Sequence, residues 1–235
     1  RELACCPRPA YAALREPDRR VLALSPLLTN SCNAAPMSTG HHPPPRADGK
    51  LPTTLTFLEM LARPARPTVS ERPAPNVELR LVQPPDLALN RYLYDAVGRT
   101  WLWDERKVRE DQDVLASLAD PKVEMHVLYE GDVVAGYAEL DSRQWPDVEL
   151  AYFGLLPVSI GKGYGPWMLD RLADMVWARG PKRYWVYTNV LDHPKALDRY
   201  VRSGFTIYKR MDTMYDDPRV LWPDEYPPDA QPRIA

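Results

Sequence analysis

The sequence predicts an α/β domain with a mixed, mostly antiparallel central sheet flanked by helices, preceded by a disordered Pro-rich leader. Three observations predict it. From Val77 onward, runs of period-two alternation are interleaved with stretches of 3.6-residue apolar spacing, and residues 1–76 sustain neither pattern. The early strands are joined by a turn and the later ones are separated by helices, so hairpins precede crossovers and the sheet is mixed. Residues 1–76 also hold 13 of the 26 prolines but two of the 11 glycines.

The leader reading rests on backbone chemistry. The run His41-His42-Pro43-Pro44-Pro45-Arg46 has three successive residues without an amide donor. Such a run enters neither a helix interior nor a central strand. Too little patterned apolar surface is present to offset ordering costs of ~1–2 kcal/mol per residue. The expected division is a leader over 1–76, a folded domain over 77–217 and a C-terminal tail over 218–235. Met37 and Met60 read as internal starts, and deletion of residues 1–76 is expected to leave activity intact.

The elements follow in order. Val77–Leu81 alternates as a half-buried strand. Pro84-Pro85-Asp86 opens a helix whose stripe is Leu87, Leu89, Tyr92, Leu93 and Val97, closed by Gly98. Asp104–Leu118 reads as a second, highly charged helix stopped by Asp120-Pro121. Val123–Tyr129 and Val133–Leu140 are strands joined at Gly131-Asp132. Val148–Leu155 is another strand, with Leu150 and Tyr152 on one face and Glu149, Ala151 and Phe153 on the other. Pro166 suits the first turn of a helix carrying Met168, Leu172, Met175 and Val176, which ends at Gly180-Pro181. Arg183–Thr188 is a strand. Pro194 opens a short helix with Ala196/Tyr200 and Leu197/Val201 pairs, Gly204 closes it, and Phe205–Met211 is the last strand.

Composition excludes several classes. A net charge of −2 and a pI of about 6.1 give no electrostatic case for nucleic acid. No apolar run approaches the ~20 residues that cross a bilayer, so no membrane association is expected and a cytoplasmic location is the default. Cys5, Cys6 and Cys32 are odd in number and irregularly spaced, which argues against a disulfide framework, and Cys5-Cys6 has no ligand-spaced partner for a metal.

The chemistry concentrates at Gly161-Lys162-Gly163-Tyr164-Gly165, between a strand and a helix. Glycines let a backbone turn tightly and approach an anion, and the free amides and dipole of a helix N-terminus favour phosphate there. A Walker loop needs Ser or Thr after the lysine, where this chain has Gly163; a dinucleotide turn needs GxGxxG after an early strand. Neither fits. Lys162 is either a pyrophosphate cation or a solvated lysine.

At this point the sequence resembles the GCN5-related N-acetyltransferase (GNAT) family, over roughly residues 77–212. The family's pyrophosphate loop, Gln/Arg-x-x-Gly-x-Gly/Ala after its fourth strand, is similar to Ile160-Gly161-Lys162-Gly163-Tyr164-Gly165, with Ile160 departing from Gln/Arg. Downstream, the family's Asn-x-x-Ala-x-x-x-Tyr-x-x-x-Gly-Phe is similar to His193–Phe205, with Ala196, Tyr200, Gly204 and Phe205 in place and His193 for Asn. The resemblance implies transfer of an acetyl group from acetyl-CoA to a primary amine of a small molecule or peptide, by direct attack in a ternary complex. A homodimer is compatible with it. The departures at Ile160 and His193 leave a second reading, a non-catalytic acyl-CoA-binding module.

The resemblance also implies roles. Glu149, on the strand leading to the loop, is the candidate base, with a solvent-facing strand glutamate as the alternative. Tyr200 is the candidate acid, since a phenol of pKa ~10 is protonated at neutral pH and can donate to a departing thiolate. Phe153, Gly154 and Leu155 would pair with the pantetheine arm through their backbone, and the Leu155 amide would face the developing oxyanion. Asn189 would bond the pantetheine or the substrate, or cap its loop. Trp101 and Trp103 either wall the acceptor site or anchor the core.

Overall fold

The computed structural model describes residues 48–65 and 71–226, all within one unit of the chain, residues 42–232. Cys5, Cys6, Cys32, Met37 and the histidine–proline run lie outside the described residues, as does the tail beyond Tyr226. In chain order the elements are β1 (Lys50–Met60), β2 (Val77–Leu81), α1 (Leu87–Gly98), α2 (Asp111–Ala119), β3 (Val123–Glu130), β4 (Val133–Asp141), β5 (Asp147–Leu155), α3 (Tyr164–Trp177), β6 (Arg183–Asn189), α4 (Ala196–Arg202), β7 (Thr206–Asp216) and α5 (Pro218–Leu221). The strands form one sheet in the order β2-β3-β4-β5-β6-β1-β7. Every pairing is antiparallel except β5 with β6, so the sheet is mixed and mostly antiparallel, as the hairpin-then-crossover order predicts.

The strand β1 corrects the expected boundary at 76. It lies between β6 and β7 and pairs with both, from Leu55↔Asn189 to Met60↔Tyr184 on one side and from Lys50↔Asp216 to Glu59↔Thr206 on the other. Leu51, Leu55, Phe57, Leu58 and Met60 are all buried. Pro52 precedes the β6 pairing and has β7 as its one strand partner, the setting in which a strand tolerates a missing donor. A chain beginning at Met60, or one cut at 76, would lose this strand, so the reading of residues 1–76 as a disordered leader does not hold for residues 50–60.

The sheet carries a core on each face. Met168, Leu172 and Val176 of α3 and Tyr200 of α4 pack with Leu58, Leu140, Leu150 and Val186. Leu93, Tyr94 and Val97 of α1 pack with Met125, Val127, Tyr137 and Tyr152. The side chain of Asp86 caps α1 by accepting from the Leu89 amide at 2.8 Å.

Two further expectations are corrected. The helix expected from Asp104 begins at Asp111. Arg91 captures the carbonyls of Arg106 and Arg109 (2.7 Å for the latter) and the Asp111 carboxylate at 2.7 Å, while the buried Arg106 is drawn inward to Glu139 and Asn90. These bonds satisfy the segment as turns. On β5, Glu139↔Tyr152 is followed by Leu140↔Leu150, so Ala151 is a bulge. The extra residue shifts the alternation. Leu150 faces α3 and Tyr152 faces α1, and Phe153 packs on the α3 side.

Candidate active site

The sheet opens along β5. Pairing with β6 is confined to Asp147–Glu149 against Arg183–Trp185. The Leu156 amide donates to Ala135 at 2.9 Å, toward β4. By antiparallel alternation the main-chain groups of Phe153 and Leu155 face the other way, into the gap where β6 has diverged. A cavity of about 300 Å³ lies there, lined by Phe153, Gly154 and Leu155. Gly154 must be glycine: a Cβ would stand 2.2 Å from Cγ1 of Val97 on α1, itself a lining residue.

One end of the cavity is the glycine turn, with Ile160, Gly161, Gly163, Tyr164 and Gly165 on its wall. Gly161 and Gly163 have φ of +89° and +81°, a backbone that L side chains rarely adopt. Gly163 caps α3 with no side-chain bond to the first turn. The amides of that turn and the helix dipole are therefore presented to the cavity as an anion site. A Cβ on Gly161 would meet nothing within 4 Å, and one on Gly165 would rest 3.7 Å from Leu155. Lys162 does not line the cavity; its Nζ pairs with Glu130 at 2.9 Å, which holds the Glu130 carboxyl below its usual range.

Opposite stands α4. Tyr200 lines the cavity at 7 % exposure, with Phe153 and Phe205 rings 6.2 and 5.9 Å away. Its hydroxyl makes no hydrogen bond to the described residues. Burial, and then the negative charge of Asp192, push its pKa well above that of a free phenol, so it is held protonated. Lys195 and Arg199, exposed on the same segment, add positive charge to the wall.

The remaining wall is Trp101, Trp103, Asp192 and His193. The segment carrying the tryptophans is fixed by Leu102, buried with Leu51, Leu191 and Tyr226 in the strained left-handed conformation at φ +59°. Trp103 packs on Tyr94 and Tyr152 at 5.5 and 5.7 Å, and its carbonyl accepts from the Tyr226 hydroxyl at 2.5 Å. Gly98 makes room for it, since a Cβ there would meet the indole at 2.5 Å. The indole N–H donates to Asp192 Oδ1 at 3.1 Å, and Asp192 Oδ2 accepts from Thr188 Oγ1 at 2.8 Å and the Asn189 amide at 3.0 Å. Burial raises the Asp192 carboxyl pKa, against the lowering by these donors. His193 stands edge-on to Trp101 at 5.1 Å. Burial, Lys195 and Arg199 lower its pKa, and its Nδ1 accepts from the Lys195 amide at 3.1 Å, so the neutral ring carries its proton on Nε2.

The structure therefore brings Trp101, Trp103, Phe153, Gly154, Leu155, Ile160, Gly161, Gly163, Tyr164, Gly165 and Tyr200 to one cavity. It does not bring Glu149, Lys162 or Asn189 there. Glu149 is buried at the closed end of β5, opposite Asp141 and Trp185, and with Ala151 bulged it lies three β4 steps, about 10 Å, along the strand from Phe153. The Asn189 side chain caps its loop by accepting from the Leu191 amide at 2.7 Å. Sequence reasoning missed Asp192. In the sequence it is an ordinary post-strand turn residue, and its contact with Trp103 spans 89 positions. No helix among the described residues is long and apolar enough to cross a membrane, and none of their His, Cys, Asp and Glu form a metal-ready group of three.

Comparison with known proteins agrees with this architecture. Residues 90–205 match the acetyltransferase (GNAT) family model. A GCN5-related N-acetyltransferase from Sphaerobacter thermophilus superposes with a TM-score of 0.53 at 17% identity, over 71% of this chain and 52% of that one. A conserved protein of unknown function from Staphylococcus epidermidis gives 0.52 at 17% identity, over 72% of this chain and 64% of that one. The chain thus spans about half to two thirds of the length of these relatives, and the likeness is one of fold. No curated protein matches the sequence.

Proposed function

Residues 90–205 are a GNAT-family acetyltransferase domain, and from this premise we propose that the protein is an N-acetyltransferase carrying the acetyl group of acetyl-CoA to a primary amine of a small molecule or peptide. The observation that carries the proposal is one cavity lined together by the stretch of β5 that has parted from β6, the glycine turn and Tyr200. The residues present fit the co-substrate. The main chain of Phe153 and Leu155 offers strand-like partners to the amides of a pantetheine arm. The first-turn amides of α3 offer donors to a pyrophosphate. When bound, acetyl-CoA supplies the activated carbonyl; the protein positions it and handles protons.

Direct attack in a ternary complex requires a neutral amine and a protonated leaving sulfur. In this reading the Leu155 amide stabilises charge developing on the carbonyl oxygen and the Tyr200 phenol protonates the thiolate. Glu149 does not line the cavity, so in this reading it can act only through water and not by direct contact. Ile160, where the family carries Gln or Arg, favours the second reading of a binding module without turnover. CoA release from acetyl-CoA over a panel of amines decides between them: turnover on any amine supports the enzyme, and tight CoA binding with none supports the module.

A further inference from the structure

We propose that Asp192 receives the acceptor's ammonium group in the aromatic half of the cavity and takes its proton before attack. The inference rests on the acetyltransferase reading and deepens it by assigning the acceptor site and its base.

The geometry carries it. Asp192 is the carboxylate lining the cavity, Trp103 donates to it, and Trp101 and His193, in edge contact, line the cavity with it. Its orientation is fixed from three sides by Trp103, Thr188 and the Asn189 amide. Three donors occupy three of about four acceptor directions of a carboxylate, leaving one for a ligand. Indole faces attract a cation, and the two tryptophans lining the cavity offer apolar surface to a body beside the amine. An acceptor carrying an ammonium on a flat apolar body therefore matches this wall. His193 does not compete for the proton, because its Nδ1 already accepts from Lys195 and its Nε2 carries hydrogen. Lys195 and Arg199 also line the cavity, and their charge acts on His193 beside Asp192.

The proton balance closes. The ammonium gives one proton to the Asp192 carboxylate, and the freed nitrogen lone pair forms the C–N bond as the C–S bond breaks. The thiolate takes the Tyr200 proton, and the nitrogen sheds its second proton as the amide forms. Of the two protons lost by nitrogen, the first on Asp192 and the second shed at amide formation, one restores Tyr200 and the other leaves to solvent, so Asp192 ends ionised. A carboxyl with a raised pKa is a better acceptor than an ordinary one, and the Asp192 charge keeps the Tyr200 phenol protonated.

The test uses the full chain with 2-phenylethylamine and its uncharged analogue 2-phenylethanol. Isothermal titration without acetyl-CoA should show the amine binding at least tenfold more tightly than the alcohol, and Asp192→Asn should erase that preference. In turnover assays Asp192→Asn should lower kcat at least 100-fold and remove the acidic limb of the kcat/KM profile, with the acetyl-CoA KM within threefold of wild type. Trp103→Phe keeps a ring but removes a donor that lowers the Asp192 pKa, so it should move the acidic limb to higher pH. If Asp192 merely held Trp103 in place, both variants would weaken turnover with the acidic limb unmoved. That result overturns the proposal. So does an acidic limb that survives Asp192→Asn and vanishes in His193→Asn, or equal binding of amine and alcohol by the wild type. Wild-type turnover that Asp192→Asn leaves intact sinks the base assignment alone, whereas absent turnover with absent CoA binding sinks the acetyltransferase reading as well.

Discussion

Replacing Tyr200 with Phe should separate chemistry from stability. The Tyr200 side chain is 7 % exposed and its ring is held by Phe153 and Phe205. A phenylalanine keeps those contacts. The hydroxyl has no hydrogen bond to the described residues, so its removal breaks nothing, and leaving such a group unpartnered costs roughly 1–3 kcal/mol. Since the hydroxyl reaches the cavity and can meet water, the relief should be at the low end, about 0–1 kcal/mol, or a Tm unchanged to about 3 °C higher for a domain of this size. Loss of a general acid typically lowers rate by 10²–10⁴. Scanning calorimetry and release of free thiol from acetyl-CoA should therefore report an equally or more stable protein with kcat at least 100-fold lower and CoA affinity within threefold. A kcat within threefold of wild type refutes the acid role. A Tm lowered by more than about 4 °C shows instead that the hydroxyl is structural.

Three other outcomes follow from the same structure. Burial, with the charges of Glu105 and Asp216 nearby, raises the Asp104 carboxyl to about 7. A carboxyl raised in the folded state contributes stability while protonated, below its unfolded value of ~3.9, and that contribution is lost as pH rises through 7. Asp104→Asn, a neutral isostere, should thus gain about 1–2 kcal/mol in urea denaturation at pH 8.5 after allowance for solvent screening, and nothing at pH 4. Glu139 is the ion-pair partner of Arg106, and both are about 2–3 % exposed. Glu139→Gln leaves a buried guanidinium without its countercharge and should cost roughly 3–5 kcal/mol, measured by the same denaturation. Deleting residues 1–60 removes the strand between β6 and β7, and the product should lose cooperative thermal unfolding; a sharp transition near the wild-type Tm would contradict the placement of β1.

What the sequence made legible is what local chemistry determines. The strand–glycine turn–helix unit at Val148–Trp177 and the Ala196–Phe205 segment were readable because glycine geometry and 3.6-residue spacing are local signals. Three features were not. Lys50–Met60 alternates over Leu51, Thr53, Leu55 and Phe57, but Pro52 and the proline-dense surroundings mask it, and its burial on both sides comes from β6 and β7, far along the chain. The bulge at Ala151 is set by the register against β4, so the facing of Glu149 relative to Phe153 could not be counted from period two. Asp192 becomes part of a site because the fold carries Trp103 to it. The side chains assigned to cofactor contact by resemblance divide along the same line. Main-chain positions such as Gly154 and Leu155 face the cavity, whereas Lys162 finds in Glu130 a partner that only the folded chain supplies, and Asn189 takes the local loop cap that the sequence left open.

Isothermal titration of CoA and acetyl-CoA into the wild type and Gly165→Asp tests the account most directly. Gly165 lies in the first turn of α3, where a Cβ has room and an acidic side chain stabilises the helix by about 0.3–1 kcal/mol. The fold should therefore survive while the new charge repels a pyrophosphate. The account predicts one-to-one binding of both ligands by the wild type and at least tenfold weaker binding, about 1.4 kcal/mol, by a variant of equal or higher Tm. No heat with the wild type, or undiminished affinity in the variant, would contradict the placement of coenzyme A on the glycine turn.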